Sequence, residues 1–183
     1  MIPNHVAILV PSVRKAADYL RQFHFEIGEE KIWEGEGTRE IYVGLTQGNS
    51  LLLMEPIQPG AYLRAMHKRG PGVHHLAVDI LNLDHFLSSI SGSGWYVHPA
   101  SIRAMRATQS VFLTRPGFPA LIEIQERDVL NVQKLFVEKV TLPIPASLAH
   151  LAQAIGLDEV LIASQEEPEL RLNGTTVKLK NLF

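Results

Sequence analysis

Two short segments of this chain repeat one pattern, a histidine at the head of an alternating apolar strand that runs on into a helix. Residues 4–10 read N-H-V-A-I-L-V and residues 74–80 read H-H-L-A-V-D-I, which makes His5 and His75 equivalent positions. A duplicated unit with duplicated histidines predicts two halves that bring these side chains together. Metal binding is therefore the first hypothesis that the sequence raises.

The composition narrows the class of protein. The chain has 183 residues, of which 46% are hydrophobic and 20% charged, as expected for one domain with or without an appendage. The net charge of -2 argues against a general nucleic-acid binder. The absence of cysteine excludes thiolate metal sites and disulfides. Since neither a secretion signal nor a membrane-spanning run is evident, we expect a cytoplasmic protein with no membrane contact.

The first unit reads as a strand, a helix and three further strands. In the strand His5–Val10 one face carries Val6, Ile8 and Val10, and Ser12 is a suitable N-cap for a helix that covers this face. β-Branched and aromatic residues, together with a turn at 47–49, predict three more strands. These are Lys31–Trp33, Glu40–Leu45 and Ser50–Glu55.

The second unit repeats this order after a connector at Gln58–Gly72, which contains the polar, Gly/Pro-flanked stretch His67–Gly72. Asn82 caps a helix whose apolar residues recur at helical spacing. The predicted strands of this unit are His75–Ile80, Tyr96–His98, Ser110–Leu113 and Ala120–Gln125.

Residues 129–183 belong to neither repeat. They predict a helix at Ala146–Ile155, a strand at Glu159–Ala163 and a hairpin around Asn173-Gly174, the strongest two-residue turn signal. Three interpretations stay open: a partial third unit, packing for the back of the sheet, or a surface for homodimer formation.

Strand parity predicts which residues meet. If the units pair about a pseudo-two-fold axis, the last strands align Leu52 with Glu123, and the cleft presents both of them together with His5 and His75. Two imidazoles and a carboxylate suit Zn, Co, Ni, Mn or Fe(II). Leu52 cannot bind a metal, so coordination positions stay open for substrate, as in catalytic sites.

Other residues are candidates for work on a substrate. Glu40 and Tyr42 should face the cleft because the intervening Ile41, Val43 and Leu45 are apolar and should be buried. A carboxylate at Glu40 could act as a general base next to a carbonyl group. Arg103 and Arg106 are candidates to bind an anionic group of the substrate. Parity predicts that His74 faces away from His75, as a packing residue or a support for the site rather than a ligand.

The sequence resembles the vicinal oxygen chelate superfamily. The resemblance rests on the strand-helix openings around His5 and His75, on M-E-P at 54–56, on G-V-H-H-L-A-V at 72–78 and on L-I-E-I at 121–124. That superfamily includes glyoxalases, methylmalonyl-CoA epimerases, extradiol dioxygenases and bleomycin-resistance proteins, and the epimerases are the most similar. The resemblance implies an α+β fold in residues 1–128. Paired βαβββ modules at about 4–56 and 73–127 form a curved mixed sheet that encloses a cleft, with helices outside and residues 129–183 as an α/β extension.

The resemblance also implies roles for individual residues. His5, His75 and Glu123 fall on metal-ligand positions, Glu40 falls near the position of an epimerase base, and Glu123 is a second candidate for proton transfer. Leu52 stands where similar epimerases and glyoxalases carry a Gln or Glu ligand. With Tyr42, Arg103 and Arg106 it is assigned to substrate binding.

Three functions are carried forward. The first is a metal-dependent enzyme that chelates substrate oxygens and moves a proton next to a carbonyl, as an acyl-CoA epimerase or lyase does. The second is an Fe(II) extradiol-type dioxygenase that uses the His-His-Glu triad. The third is a metal-free small-molecule binding or resistance protein. All three predict a small-molecule partner.

Overall fold

A computed structural model describes residues 1–130 and 134–183 of the chain. Its larger sheet has eight strands in the order β2-β3-β4-β1-β5-β8-β7-β6. Each half has the same order of four strands, and the halves meet at their first strands, β1 and β5. The first module consists of β1 (Ile2–Leu9), α1 (Val13–Arg21), β2 (Lys31–Trp33), β3 (Thr38–Val43) and β4 (Ser50–Pro56).

The second module follows helix α2 (Ala61–Arg69), which links the two. Within each module the first strand lies parallel to the last, β1 to β4 and β5 to β8, while β1 and β5 pair antiparallel and join the modules. The elements are β5 (Gly72–Ile80), α3 (Leu83–Ser89), β6 (Tyr96–Val97), α4 (Pro99–Ile102), α5 (Met105–Thr108), β7 (Ser110–Thr114) and β8 (Leu121–Glu126). This confirms the predicted α+β fold with paired βαβββ modules.

The eight-stranded sheet has two different faces. The back face is a large apolar core covered by α1, α3 and the C-terminal residues, and from β1 it takes Val6 and Ile8. Ser12 caps α1 as predicted, since its side chain accepts a hydrogen bond from the Lys15 backbone N–H. The front face carries a separate apolar cluster of Ala7, Leu9, Leu52 and Met54, against which Tyr42, Tyr62, Ala65 and Met66 pack.

Helix α2 is therefore a cover on the front face, formed by residues that the sequence predicted only as a connector between the two units. Its ends carry Gly60 and Gly70 as caps, and no side chain caps its N-terminus. A helix without a capping residue has a weak sequence signal, and tertiary packing supplies most of its stability. The predicted fold has helices on the outside, and α2 adds a helix that packs on the front face.

One prediction about the third strand was also wrong. β3 ends at Val43, and Leu45 is 57% exposed instead of buried. Gly44 turns the chain with φ 75°, and a Cβ there would lie 2.4 Å from the ring of Phe136. Both the left-handed conformation and the close contact require glycine at this position.

The C-terminal residues form a second sheet of four strands in the order β10-β9-β11-β12, with β9 parallel to β10. This pairing differs from that of the two modules, in which the first strand lies parallel to the fourth. Side chains of this extension, including Phe136 and Leu151, join the core of the back face. Its elements are β9 (Val137–Leu142), α6 (His150–Ala154), β10 (Leu161–Ala163), β11 (Glu169–Leu172) and β12 (Thr175–Lys178).

Two buried polar contacts tie the extension to the modules. The side-chain amide of Asn49 donates to the Val137 carbonyl at 3.0 Å and accepts from the Val137 N–H at 2.9 Å. The indole N–H of Trp95 donates to the Leu151 carbonyl at 2.9 Å. These contacts favour the interpretation of residues 129–183 as packing for the back of the sheet.

Candidate metal centre

His5, His75 and Glu123 meet on the front face of the sheet, although 118 positions of the chain separate the first from the last. His5 Nε2 lies 3.1 Å from His75 Nε2, and His75 Nε2 lies 3.5 Å from Glu123 Oε2. The three ligand atoms all lie within 4.8 Å of one another. Both histidines are buried, and Glu123 is partly exposed.

These separations suit a common metal ion. Two donor atoms bound at about 2.1 Å in tetrahedral or octahedral geometry lie roughly 3.0–3.4 Å apart. The distance of 3.1 Å between His5 and His75 falls within this range, and that of 3.5 Å between His75 and Glu123 exceeds it by about 0.1 Å. The residues present therefore fit a divalent ion that is bound by two imidazoles and one carboxylate.

A chain of hydrogen bonds orients His5 from behind. His5 Nδ1 lies 2.7 Å from the side-chain oxygen of Asn4, and the Asn4 amide donates to Asp79 at 2.8 Å. Asp79 in turn accepts from Arg127 Nε at 3.1 Å, and Arg127 also donates to Gln125. The Asn4 oxygen can only accept, so this contact suits a His5 ring with its proton on Nδ1 and its Nε2 lone pair directed at the metal position.

His75 is supported by its chain neighbour. His75 Nδ1 lies 2.8 Å from His74 Nδ1, and the His74 ring contacts Tyr62 of α2 with centroids 5.0 Å apart. The prediction that His74 faces away from His75 was wrong. The register of β1 against β5 shifts at this point, since Ala7 pairs with His75 and Ile8 with Val73. This β-bulge inserts one residue and turns both histidines to the front face.

Burial sets the charge of the ligands. It lowers the pKa of His5 to about 4, although Asp79 acts in the opposite direction, and it lowers the pKa of His75 well below its ordinary value. Burial also raises the pKa of the Glu123 carboxyl. Metal ions bind the neutral form of imidazole, so both histidines are in the form that coordinates. A bound cation would offset the desolvation of the Glu123 carboxylate.

A second buried carboxyl lies in the same cleft. Glu40 is 6% exposed, and Thr38 Oγ1 donates to one of its oxygens at 2.8 Å. Burial raises the pKa of Glu40. Tyr42, on the same strand, has its pKa raised to about 12, first by burial and then by the negative charges of Glu40 and Glu123. Glu40 pairs with Met54 and Tyr42 with Leu52 across β3 and β4, so both side chains lie on the front face. The Tyr42 ring lies edge-on to the His5 ring, with centroids 6.1 Å apart.

The remaining predicted site residues differ in their surroundings. Leu52 is 4% exposed and lies in the front-face cluster beside Ala7, with which it is paired across β1 and β4. Arg103 and Arg106 are exposed at the end of α4 and in α5. Among the described residues, the hydrogen bonds and ion pairs around the metal cluster do not include either arginine.

Several contributors were not predicted. Tyr62 reaches the site from the unpredicted helix α2, and Phe112 packs edge-on against His75 with centroids 5.3 Å apart. The repeat itself could have indicated Asn4, because Asn4 and His74 occupy equivalent positions, each directly before a metal-ligand histidine. Asp79 has no such signal, because its contact with Asn4 spans 75 positions.

The family comparison agrees with this geometry. Residues 4–112, more than half of the chain, match the family model described as the Glyoxalase/Bleomycin resistance protein/Dioxygenase superfamily. The chain belongs to this superfamily. The resemblance that the sequence motifs carried is thereby confirmed.

Solved structures share the fold at low identity. A hypothetical protein from Bacillus halodurans aligns at 19% identity and a TM-score of 0.56, covering 72% of this chain and 97% of that one. Methylmalonyl-CoA epimerase from Mycobacterium tuberculosis aligns at 24% identity and a TM-score of 0.52, covering 68% and 86%. A Streptomyces coelicolor methylmalonyl-CoA epimerase variant in complex with 2-nitronate-propionyl-CoA aligns at 22% and 0.52, covering 72% and 99%.

Two further findings concern curated relatives and membrane-spanning helices. No curated protein matches the chain. Within residues 1–130 and 134–183, no helix combines the length and the apolar character that crossing a bilayer requires.

Proposed function

We propose that this chain is a metal-dependent enzyme that moves a proton next to the carbonyl group of a small-molecule substrate. One observation carries the proposal: a His5–His75–Glu123 cluster and a separate buried carboxyl, Glu40, lie on the same face of the sheet. A metal-free binding protein would bury these groups at a cost and gain no chemistry from them. Metal-assisted proton transfer uses both groups.

The proposed chemistry divides between the two groups. A divalent ion held by His5, His75 and Glu123 would supply Lewis-acid stabilisation of negative charge on a substrate oxygen. Glu40 takes the proton from the carbon next to the carbonyl. The Thr38 hydroxyl holds one oxygen of Glu40 in place, and burial makes its carboxylate a stronger base than an exposed glutamate.

The apolar surroundings favour an acyl substrate. Leu9, Leu52 and Met54 belong to a buried apolar cluster on the face that carries the metal ligands, and Met66 of α2 packs against it. Acyl-CoA compounds are the first substrates to test, because two of the structural neighbours are named methylmalonyl-CoA epimerases. Leu52 would contact the substrate instead of the metal.

Solvent-proton exchange tests this proposal. The protein is incubated with divalent metal and acyl-CoA compounds in heavy water, and deuterium at the α-carbon is measured by mass spectrometry. We expect exchange that Glu40→Gln lowers about 10²–10⁴-fold, the usual contribution of a general base. Glu30→Gln is the matched control, since Glu30 is an exposed partner of Arg14 on the same edge of the sheet. Absence of exchange with all acyl-CoA and hemithioacetal substrates would contradict the proposal.

An Fe(II) dioxygenase is the second candidate, favoured by a specific observation. Among the residues that the structure describes, the cluster offers three ligands, and the buried Leu52 has no atom with which to add a fourth. Two histidines and one carboxylate are the donor set of non-haem Fe(II) oxygenases. Oxygen uptake with catechols that depends on ferrous iron would establish this alternative and displace the first.

Metal analysis separates both enzymes from a metal-free binding protein. Protein purified without chelator or added metal should contain about one divalent ion per chain, and His5→Ala should contain none. The cytoplasmic location and the homodimer stay predictions. Sedimentation of the full chain, compared with a chain that ends at Arg127, checks whether the extension mediates a dimer.

A further inference from the structure

The two metal-ligand histidines share one structural device. The register of β1 against β5 shifts at Asn4, since Pro3 pairs with Val78 and His5 with Ala77. The register shifts again at His74, since Ala7 pairs with His75 and Ile8 with Val73, so each strand carries one extra residue. Asn4 and His74 occupy equivalent positions in the repeat, one residue before each ligand. Each bulge therefore turns the preceding residue to the side of its histidine, where its side chain meets Nδ1.

The contacts of Asn4 determine its own orientation. Rotation about the last side-chain bond would exchange the amide nitrogen and oxygen of Asn4. The carboxylate of Asp79 can only accept a hydrogen bond, so the amide nitrogen faces Asp79, at 2.8 Å. The oxygen is left for His5 Nδ1 at 2.7 Å. Arg127 holds Asp79 from the protein surface at 3.1 Å. Each step of this chain allows one arrangement of protons, which ends with a lone pair on His5 Nε2.

We infer that Asn4 and His74 are positioning residues: Asn4 selects the metal-binding tautomer of His5, and His74 supports the metal-binding tautomer of His75 once metal is bound. The inference rests on the proposed function, because it concerns the same cluster. Asn4 accepts the Nδ1–H of His5, and His74 accepts the Nδ1–H of His75. Both Nε2 lone pairs, 3.1 Å apart, then point at one position. Two such lone pairs repel each other unless a cation lies between them.

The two supports differ in what they allow. Asn4 oxygen is only an acceptor, so it holds His5 in one tautomer with or without metal. His74 Nδ1 can donate or accept, so it permits both tautomers of His75. In the metal-free protein His75 can donate from Nε2 to His5 Nε2, and this proton must move to Nδ1 before metal is bound. His5 is thus the ligand prepared in advance, and His75 is the one that adapts.

Nitrogen-15 NMR of the imidazole rings tests Asn4 directly. In metal-free protein near neutral pH, the His5 signals, identified by their loss in His5→Ala, should show one tautomer with the proton on Nδ1. In Asn4→Leu a buried Nδ1–H would have no partner, so the proton should move to Nε2. The double variant Asn4→Asp with Asp79→Asn exchanges the amide and carboxylate, and should restore the wild-type tautomer.

Metal affinity gives the second readout. Competition with a chelator should show Zn²⁺ binding about 10–100-fold weaker in Asn4→Leu and in His74→Phe, and restored in the double variant. His74→Phe retains a ring against Tyr62 and removes only the polar atoms. Asn49→Leu is the matched control, because Asn49 is a buried asparagine whose contacts with Val137 lie outside the cluster. It should leave the His5 spectrum and the affinity unchanged.

The outcomes separate this inference from the proposed function. A wild-type His5 with its proton on Nε2, or an unchanged His5 tautomer in Asn4→Leu, overturns the inference even if metal binds and proton exchange is catalysed. A wild-type protein that binds no divalent metal overturns the proposed function, while the imidazole spectra still decide what Asn4 does. Equal losses of affinity in Asn4→Leu and Asn49→Leu would reduce Asn4 to a structural role and overturn the inference.

Discussion

Alternate residues of the same strands build two different surfaces in the eight-stranded sheet. On β1, Val6 and Ile8 enter the apolar core of the back face, whereas His5 and Ala7 face the cleft. The back face has aliphatic and aromatic side chains packed beneath helices and the C-terminal sheet. The front face has a small apolar cluster next to buried histidines and carboxyls.

The difference shows where stability and chemistry reside. Buried apolar area on the back contributes most of the stability of folding, about 25 cal/mol for each Å² that is removed from water. The front buries polar groups, which costs free energy unless they have partners. The back face therefore offsets the cost of preparing a site on the front, a common relation between stability and function.

Two substitutions on one strand should separate these roles most strongly. His5→Ala should lower divalent metal affinity more than the roughly 100-fold that loss of a supporting residue produces, and should lower the free energy of unfolding less than Ile8→Ala does, because the side chain removed is polar. Ile8→Ala should lower the free energy of unfolding by about 2–5 kcal/mol and leave metal affinity intact. Chelator competition and urea denaturation measure the two effects. If both substitutions changed both quantities alike, the division between the faces would fail.

The link between the back face and the extension should be the next largest effect. Phe136 is 1% exposed, contacts Phe25 edge-on at 5.2 Å and lies against Gly44. Phe136→Ala should cost about 3–5 kcal/mol in the free energy of unfolding. Phe183→Ala, at a ring that is 45% exposed, is the control and should cost about 0.5 kcal/mol or less. Equal effects in urea denaturation would show that the extension adds little to the core.

Neighbouring leucines on β4 allow a sharper comparison. Leu51 lies in the back core and Leu52 in the front cluster. Either leucine changed to Gln should lower the free energy of unfolding of metal-free protein by about 1–3 kcal/mol, since an amide is buried without a partner. Zn²⁺ should restore stability only in Leu52→Gln, because only there can the amide oxygen reach the metal. Thermal unfolding with and without Zn²⁺ measures this, and equal recovery in Leu51→Gln would contradict it.

The smallest effect concerns pH. Burial raises the pKa of Glu40, and only its deprotonated form can act as a base. The rate of proton exchange, measured as kcat/KM, should therefore rise with pH and level off above a pKa higher than that of an ordinary glutamate. Metal content must be measured at each pH, because protons also compete for the ligands. A rate that stays constant through the acid range, at full metal occupancy, would exclude Glu40 as the base.

Parity arguments succeeded where the strands are regular. The alternation of residues on β4 and β8 correctly set Leu52 and Glu123 on the front face, since a side-chain period of two fixes the face once one buried residue is known. The convergence of His5 and His75 followed from the repeat alone. The same reasoning placed Glu40 on the front face, where it pairs with Met54.

Parity failed where the backbone departs from regular pairing. One inserted residue at the bulge reverses the face, so His74 was assigned to the wrong side. Helix α2 lacks a capping side chain and depends on contacts with the front face, which no local pattern displays. The support of His5 by Asn4 and Asp79 joins residues from both modules and requires the folded arrangement.

Helix α2 also limits what can enter the cleft. It covers the front face and is at the same time the covalent link between the modules, with β4 before it and β5 after it. A cover attached at both ends cannot swing aside like a terminal arm, so the length of the tether restricts how large a molecule can pass beneath it. Insertions between residues 57 and 71 should thus widen the range of accepted molecules while every metal ligand stays in place.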